Sequence, residues 1–364
     1  MDNYRTFSHT VIGASHIKDN KACQDYSLNK ITNDYAIAIV CDGHGGDKYF
    51  RSDRGSRIAA HETLESIEEW MKEYLCHKDD KEKESSFLAQ PNTFLKQLIN
   101  NIIYRWHEKI TEDYIREPFI TNDKDSLKSM DDLHKFIESE KWVKAYGTTL
   151  IAVVLTSSFW FGIHIGDGKC VAIDELWNST QPIPWDEACF LNQTTSLCDE
   201  RASEKFRFFF SKENLPIVIY AASDGVDDTY TTNETLYNFY NNLTKLFVDK
   251  GMEDGLLEMQ EFLPIMSEKG SRDDISIAGI LNFETLKEQR KDKESFETSV
   301  EELPIIDEDL DNNLTVEYPS KEDVENCQRY NVEENVLEVE KSEAESPTNK
   351  NDNEQDLSKG IIFG

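Results

Sequence analysis

The sequence predicts a layered α+β fold in which mainly antiparallel sheets pack face to face and helices cover their outer sides. Two observations support this prediction. Short apolar runs of β-forming residues follow one another across turn-length gaps, which favours antiparallel neighbours over parallel strands joined by crossover helices. Longer segments with helical periodicity separate these groups of strands, and a chain of 364 residues can bury a core of this size.

The predicted strands are short segments rich in β-branched and aromatic residues and bounded by turn-forming residues. In chain order they cover residues 9–15, 24–31, 35–41, 148–156, 159–165, 169–173, 206–210, 217–222 and 275–281. The segment 35–41, YAIAIVC, is an apolar run that predicts a buried strand.

Four segments show the apolar spacing of helices. The clearest begins after the candidate N-cap Asn92 and carries apolar residues from Phe94 to Trp106 on one face. The other three cover residues 56–75, 234–247 and 255–267. Residues 121–140 are polar and predict a surface insertion with little core.

The formal net charge of -32 argues against two classes of partner. Nucleic acid and anionic membrane surfaces both need a positive patch on the protein. The seven cysteines form no CxxC pair and several lie in apolar runs, which indicates reduced thiols in a reducing cytosol. The N-terminus lacks the apolar core of a signal peptide and no segment has the length of a membrane span, so we expect a soluble cytoplasmic protein.

The last quarter of the chain has a different composition. Residues 283–364 contain 24 acidic and 9 basic residues, with scattered aliphatic residues and no sustained period. Such a segment has too little apolar surface to offset the entropy lost on folding. The sequence therefore predicts a folded domain over residues 1–282 and a disordered acidic tail over residues 283–364. The final residues, LSKGIIFG, are either a frayed terminus or a docking peptide for a partner.

Aspartates recur at or next to the ends of the predicted strands, each beside glycine or a polar turn. One such residue alone is more often a turn former, because Asp hydrogen-bonds locally and Gly accepts positive φ. Their recurrence within one domain favours a shared site instead. They are Asp42 in IVCDGHGG, Asp167 in IHIGDGK, Asp224 in IYAASDGVDD and Asp273 in GSRDDISI, with Asp25 at the start of a strand in KACQDYSL.

A site of this kind predicts bound cations. Two carboxylates that meet at about 4 Å repel each other by roughly 1 to 4 kcal/mol, depending on the local dielectric. Oxygen ligands with few His or Cys residues select hard ions such as Mg²⁺ or Mn²⁺ over zinc. Two such ions about 3.5 to 4 Å apart can lower the pKa of a bridging water and support in-line attack on phosphorus.

Five motifs resemble, in order and spacing, those of the type 2C metal-dependent serine/threonine protein phosphatases. They are DGHGG at 42–46, YGTTL at 146–150, IGDG at 165–168, ASDGVDD at 222–228 and RDDIS at 272–276. The segments SHIKDNKACQD and FLNQTTSLCDE are similar to the bacterial branch of that family. The resemblance covers about residues 8–282. It implies a four-layer αββα sandwich with a dinuclear Mn²⁺ or Mg²⁺ centre between the two sheets.

The resemblance also implies roles for individual residues. Asp42 bridges both ions, and the Gly43 carbonyl binds one of them. Asp224 and Asp273 hold the other ion, and Asp25 binds a metal-coordinated water.

Two further positions match residues of the family. Asp167 corresponds to a position linked to a third, weaker metal in bacterial relatives. His44 is either a local hydrogen-bonding residue of its turn or, as in the family, the general acid that protonates the leaving serine or threonine alkoxide.

One position departs from the family pattern. The arginine that usually grips the phosphoryl oxygens is replaced by Asn20. His16, Lys18 and Lys21 are the candidates to substitute for it, although a lysine cannot supply the paired hydrogen bonds of an arginine. Phosphate anchoring is therefore the open point of the site.

The leading hypothesis is a phosphatase that hydrolyses phosphoserine and phosphothreonine in proteins through a metal-bridged hydroxide. Its partners would be phosphorylated protein substrates and a cognate serine/threonine kinase. The competing hypothesis, which Asn20 motivates, is a pseudophosphatase that binds phosphoproteins or a kinase without turnover. A third hypothesis, an acidic scaffold, leaves the carboxylate pattern unexplained.

Overall fold

The computed structural model describes residues 1–76, 88–121, 123, 129–139, 141–189 and 193–294. The strands of this part of the chain overlap all nine predicted segments, with the first strand displaced, and one two-residue strand was not predicted. They are β1 Tyr4–Val11, β2 Tyr26–Ile31, β3 Tyr35–Cys41, β4 Leu150–Thr156, β5 Trp160–Ile165, β6 Lys169–Ile173, β7 Ser179–Thr180, β8 Arg207–Ser211, β9 Val218–Ala222 and β10 Ile275–Asn282.

These strands form two five-stranded sheets in which every pairing is antiparallel. The first sheet has the order β1-β10-β9-β6-β7, and the second has the order β2-β3-β4-β5-β8. In the second sheet β3 and β4 are buried along their whole length, as expected for central strands covered on both faces.

Helices of very different length connect the strands. The long helices include all four that the periodicity predicts. In chain order the helices are α1 Ala14–Asp19, α2 Ser52–Cys76, α3 Pro91–Arg116, α4 Met130–Glu138, α5 Ala202–Lys205, α6 Asp224–Asp227, α7 Asn233–Lys250, α8 Met252–Lys269 and α9 Phe283–Glu294, with a 3-10 helix at Lys141–Tyr146.

Three apolar clusters show how these elements are layered. One lies between the sheets and takes alternate residues of β3 and β4 from the second sheet and of β9 and β10 from the first. A second packs the other face of the second sheet against α2 and α3, and a third packs the other face of the first sheet against α7 and α8. This arrangement confirms the predicted four-layer αββα sandwich.

The N-terminal strand differs from its prediction. β1 begins at Tyr4 instead of residue 9 and pairs with β10 along its whole length, from Tyr4 opposite Asn282 to Val11 opposite Ile275. It is an edge strand and is half-exposed. Because its sequence contains many polar residues, a prediction based on apolar runs did not detect its first half. The predicted end of this strand was also wrong, because Ser15 lies in α1.

The N-cap predicted for α3 was wrong as well. The cap is Gln90, and Asn92 lies inside the helix, which begins at Pro91. Proline suits this first position because the N–H that it lacks would have no partner within the helix.

The two segments expected to lack a core are described only in part. In the predicted insertion, α4 is capped by the Ser129 side chain, which accepts from the Asp132 N–H, and it buries Leu133. Residues 122, 124–128 and 140 of this insertion lie outside the described residues.

The predicted tail begins with a helix, α9, whose residues Phe283 and Leu286 are buried, so regular structure continues past residue 282 as far as Glu294. Residues 295–364 lie outside the described residues. The division of the chain into a domain and a disordered tail stays a prediction. Every helix in the described part of the chain is too short or too polar to cross a membrane.

The contact between α2 and the 3-10 helix yields a stability prediction. A Cβ on Gly55 would lie 2.0 Å from the Tyr146 carbonyl oxygen, and the Gly55 carbonyl accepts a hydrogen bond from the Trp106 indole at 3.1 Å. A glycine-to-alanine change within a helix normally stabilises it by about 1 kcal/mol. We expect Gly55→Ala instead to lower the free energy of unfolding by about 1–3 kcal/mol, because the helix must move away from its neighbour.

Urea unfolding followed by circular dichroism measures this effect. Gly46→Ala is the control, because a Cβ there would meet its nearest atom, Tyr49 Cδ2, at 3.4 Å. A Gly55→Ala protein as stable as the unchanged chain would contradict the prediction.

Candidate active site

The turn after β3 fixes Asp42 at the edge of the second sheet. The Asp42 carbonyl accepts hydrogen bonds from the Thr149 N–H at 2.8 Å and the Thr148 hydroxyl at 2.9 Å, and the Asp42 N–H donates to the Thr149 hydroxyl at 3.1 Å. The Gly43 N–H donates to the Gln24 carbonyl at 3.1 Å. A Cβ at position 43 would lie 2.3 Å from that oxygen, so the turn requires glycine.

Three of the predicted site residues meet at this edge. Oxygens of Asp42, Asp167 and Asp224 all lie within 4.8 Å of one another. Asp42 follows β3 and Asp167 follows β5 in the second sheet, whereas Asp224 follows β9 of the first sheet and begins α6. The site is therefore built by both sheets, which brings together residues that are far apart in the sequence.

The electrostatics of this group fit a divalent cation. Burial raises the pKa of Asp42 well above its usual range, and the nearby Asp224 carboxylate adds to the rise. Burial and then the charge of Asp167 raise the pKa of Asp224 to about 8. Within the described residues, Asp25 Oδ2 and Asp167 Oδ1 are buried without a hydrogen-bond partner. Crowded, desolvated carboxylates with free oxygens are the donor set that Mg²⁺ and Mn²⁺ accept.

A second group lies beside the first and contains His16, Asp273 and Asp274. His16 Nδ1 is 2.9 Å from Asp274 Oδ1, and His16 Nε2 is 3.8 Å from Asp273 Oδ1. Asp274 also accepts hydrogen bonds from the N–H groups of Gly13 and Gln24, both at 2.6 Å. Asp274 is buried, whereas the Asp273 side chain is 57% exposed. Asp274 therefore has a structural role that sequence reasoning missed, although it is the second aspartate of the RDDIS motif.

Asp25 lies within the electrostatic reach of both groups. Burial raises its pKa well above the usual range, and the charges of Asp274, Asp224 and Asp273 add to the rise. Asp273 is thus near the predicted ligands Asp25 and Asp224, but its carboxylate oxygen belongs to the group that contains His16. The prediction that Asp224 and Asp273 share one ion stays a prediction.

His44 occupies a half-buried position in the DGHGG turn. Its N–H donates to the Gly147 carbonyl at 3.1 Å, and its ring meets the Tyr49 ring edge-on with centroids 4.6 Å apart. Its Nε2 is buried without a partner among the described residues. Burial lowers the pKa of His44 to about 4, despite the opposing charge of Asp199, so the imidazole of the free protein is neutral at pH 7.

Asn20, the position that departs from the family pattern, has a structural explanation. It ends α1 in the left-handed conformation, with φ 53° and ψ 43°. Asparagine adopts this conformation more readily than arginine does. Of the candidates to replace arginine, Lys18 and Lys21 are exposed on the surface, whereas His16 is buried against Asp274.

Comparison with known proteins identifies the family. The sequence model of protein phosphatase 2C matches residues 12–261. The chain belongs to this family. Membership confirms the resemblance seen in the motifs and the prediction that the chain is a protein phosphatase, from a family that depends on Mn²⁺ or Mg²⁺.

Several solved bacterial phosphatases are similar in structure. The serine/threonine phosphatase Stp1 from Staphylococcus aureus is 15% identical with a TM-score of 0.46, and the match covers 76% of this chain and 94% of that one. The S. agalactiae serine/threonine phosphatase is 15% identical with a TM-score of 0.45, over 76% and 99% of the two chains. PppA of Pseudomonas aeruginosa, described as a regulatory component of T6SS, is 14% identical with a TM-score of 0.46, over 76% and 97%. No curated protein matches the chain.

The raised pKa of Asp224 predicts how stability depends on pH without metal. The folded protein holds the Asp224 proton up to a pKa of about 8, whereas the ordinary pKa of an aspartate is 3.8. Unfolding therefore releases a proton between these values, so raising the pH favours the unfolded state. We expect the melting temperature of chelator-treated protein to fall by several degrees as the pH rises through this range. The melting temperature of the Asp224→Asn variant should fall less.

Differential scanning fluorimetry from pH 5 to 8 tests this. Asp19→Asn, which removes an exposed carboxylate, is the matched control and should keep the full slope. Identical slopes for Asp224→Asn and the unchanged chain would contradict the assignment of the effect to this group.

Proposed function

We propose that the protein hydrolyses phosphoserine and phosphothreonine in proteins, using two divalent cations, Mn²⁺ or Mg²⁺, held by its clustered aspartates. The observation that carries this proposal is the convergence of Asp42, Asp167 and Asp224 within 4.8 Å at the edge between the sheets. An uncompensated group of this kind costs stability through repulsion and desolvation. Its presence in a member of this phosphatase family supports a metal-binding role.

In this proposal each aspartate has a separate task. Asp42 and the Gly43 carbonyl would hold one ion, with Asp42 shared by the second ion. Asp224 and Asp273 would complete the second site, and Asp167 would contribute to a third, weaker one. The rigid turns that carry Asp42 and Asp224 would hold these oxygens in place before metal arrives.

The chemistry divides between the ions and the protein. When bound, the two cations would acidify a water molecule and offset the charge of the phosphoryl oxygens. Asp25, buried beside both acidic groups, would accept a hydrogen bond from that water and orient it. The leaving serine or threonine oxygen needs a proton, and His44 is the candidate donor.

The state of His44 fits this task once substrate is present. Burial keeps its imidazole neutral at pH 7 in the free protein. A phosphate ester is a dianion, and a negative charge nearby favours the protonated ring. Substrate binding would thus raise the pKa of His44, so that the ring takes up a proton from solvent and then donates it to the departing alkoxide.

The wider setting of the reaction is part of the same proposal. The catalytic unit would be residues 1–282 together with the α9 helix that follows, and the acidic remainder of the chain would be a tail. The substrates would be phosphoproteins in the cytoplasm, phosphorylated by a cognate serine/threonine kinase.

The proposal predicts loss of activity in Asp42→Asn. With Mn²⁺, the full chain should release phosphate from p-nitrophenyl phosphate and from a phosphothreonine peptide, and a chelator should abolish this release. Asp42→Asn would weaken the binding of the cations whose charge stabilises the transition state. Losing one such stabilising group typically costs about 10²–10³-fold, so we expect a loss in kcat/KM of at least this size. Asp19→Asn is the control, because Asp19 is exposed and pairs with Lys21 on the surface.

The same assay separates the alternative function. A pseudophosphatase, which the missing arginine at Asn20 favours, would bind the phosphopeptide and release no phosphate with any divalent ion. Full activity of Asp42→Asn would contradict the proposed role of the aspartates. Binding of the phosphopeptide without turnover by the unchanged chain would support the pseudophosphatase hypothesis.

A further inference from the structure

The first helix is fixed to the loop that carries Asp273. The Ala14 N–H donates to the Ser267 hydroxyl at 3.0 Å, and the N–H and hydroxyl of Ser15 donate to the Arg272 carbonyl at 2.9 and 2.8 Å. Gly13 is packed so closely that a Cβ there would lie 2.4 Å from the Asp273 carbonyl carbon. These contacts hold α1, and with it His16, directly against the Asp273 loop.

The buried carboxylate of Asp274 fixes the orientation of the His16 ring. Asp274 Oδ1 lies 2.9 Å from His16 Nδ1 and also accepts the Gly13 N–H at 2.6 Å. An ionised carboxylate accepts hydrogen bonds only, so Nδ1 carries a hydrogen. The lone pair of the neutral imidazole is then on Nε2, and because the Asp274 hydrogen bond also raises the pKa of His16, a metal ion would bind there in place of a proton. A carboxylate behind the imidazole in this way is the arrangement found behind most histidines that bind metals.

The other ring nitrogen points at a proposed metal ligand. His16 Nε2 is 3.8 Å from Asp273 Oδ1, which is too far for a hydrogen bond, and it makes no other hydrogen bond among the described residues. Two donors that each lie about 2.1 Å from one ion are separated by about 3 to 4.2 Å. The observed distance falls in this range. The His16 side chain is only 8% exposed, so its position is set by packing, whereas Asp273 is free to adjust.

We propose that His16 Nε2 binds a metal ion together with Asp273, with Asp274 as the residue that orients the imidazole. This inference rests on the proposed function, because the ion would be one of the cations of that centre. The resemblance to the family implies oxygen ligands from aspartates and Gly43, and it assigns no metal to His16. A nitrogen ligand shifts the preference of a site from Mg²⁺ towards Mn²⁺ and later transition metals.

A metal-binding role for His16 can be distinguished from the phosphate-anchoring role for which it was a candidate. An anchor would contact the phosphoryl oxygens directly and would respond to phosphate. A ligand responds to metal in the absence of phosphate. A ring that only supports Asp274 through Nδ1 would respond to neither at Nε2.

Nuclear magnetic resonance of the full chain labelled with ¹⁵N-histidine distinguishes these roles. The Nε2 signal of His16 is identified by its loss in His16→Gln. On addition of up to two equivalents of Zn²⁺, a diamagnetic probe, at a pH high enough to deprotonate the metal-free ring, this signal should move from the range of a free lone pair to that of a metal-bound nitrogen. Inorganic phosphate without metal should leave it in place.

Metal affinity provides a second measurement. In isothermal titration with Mn²⁺, His16→Gln should raise the Kd of one site about tenfold or more, and Asp274→Asn should raise it in the same direction. His61→Gln is the matched control, because His61 is an exposed histidine beside Tyr26 and should leave the Kd unchanged.

The outcomes separate this inference from the proposed function. If the unchanged chain binds Mn²⁺, Asp42→Asn weakens that binding and the His16 signal does not move with Zn²⁺, the inference alone is wrong. A His16 signal that moves with phosphate and not with metal also overturns it, in favour of a phosphate anchor. If no divalent ion binds the unchanged chain, the proposed function fails and this inference fails with it.

Discussion

The mutual repulsion of clustered carboxylates is the constraint on which this site depends. Asp42, Asp167 and Asp224 come from both sheets and meet within 4.8 Å, with Asp25 close behind them. Each such pair costs roughly 1–4 kcal/mol if both members are charged, a large fraction of the stability of an ordinary domain. The fold therefore keeps these carboxylates close together despite their mutual repulsion. The divalent cations on which the family depends would neutralise this negative charge.

The sandwich supplies the rigidity that this arrangement requires. Its three apolar clusters fix both sheets from both sides, and the strands that end at the site, β3 and β9, are buried along their whole length. A carboxylate at the end of such a strand cannot relax far from its neighbours, because movement would disrupt close packing in the core. Packing far from the site thus sets the distances between the aspartates.

Sequence reasoning succeeded where a local pattern determines the structure. The strand β3 was predicted with its correct bounds because seven apolar residues end at a glycine-rich turn. The meeting of Asp42, Asp167 and Asp224 followed the prediction because each comes after a strand and lies beside glycine. It failed for α1, which is too short to show a period, and for the link between His16 and Asp274, which are 258 positions apart. Contacts of that range follow from the fold, and no local spacing encodes them.

The replacement of arginine by Asn20 belongs to the same region of the structure as the His16 contact. A residue in the left-handed conformation is needed at position 20 to end α1, and α1 is the element that holds His16 against the Asp273 loop. The asparagine at position 20 and the buried position of His16 are therefore two consequences of one local structure. The helix that ends at Asn20 also brings the His16 ring nitrogen to the Asp273 loop, so the proposed metal ligation by His16 and the proposed phosphate binding would both depend on α1.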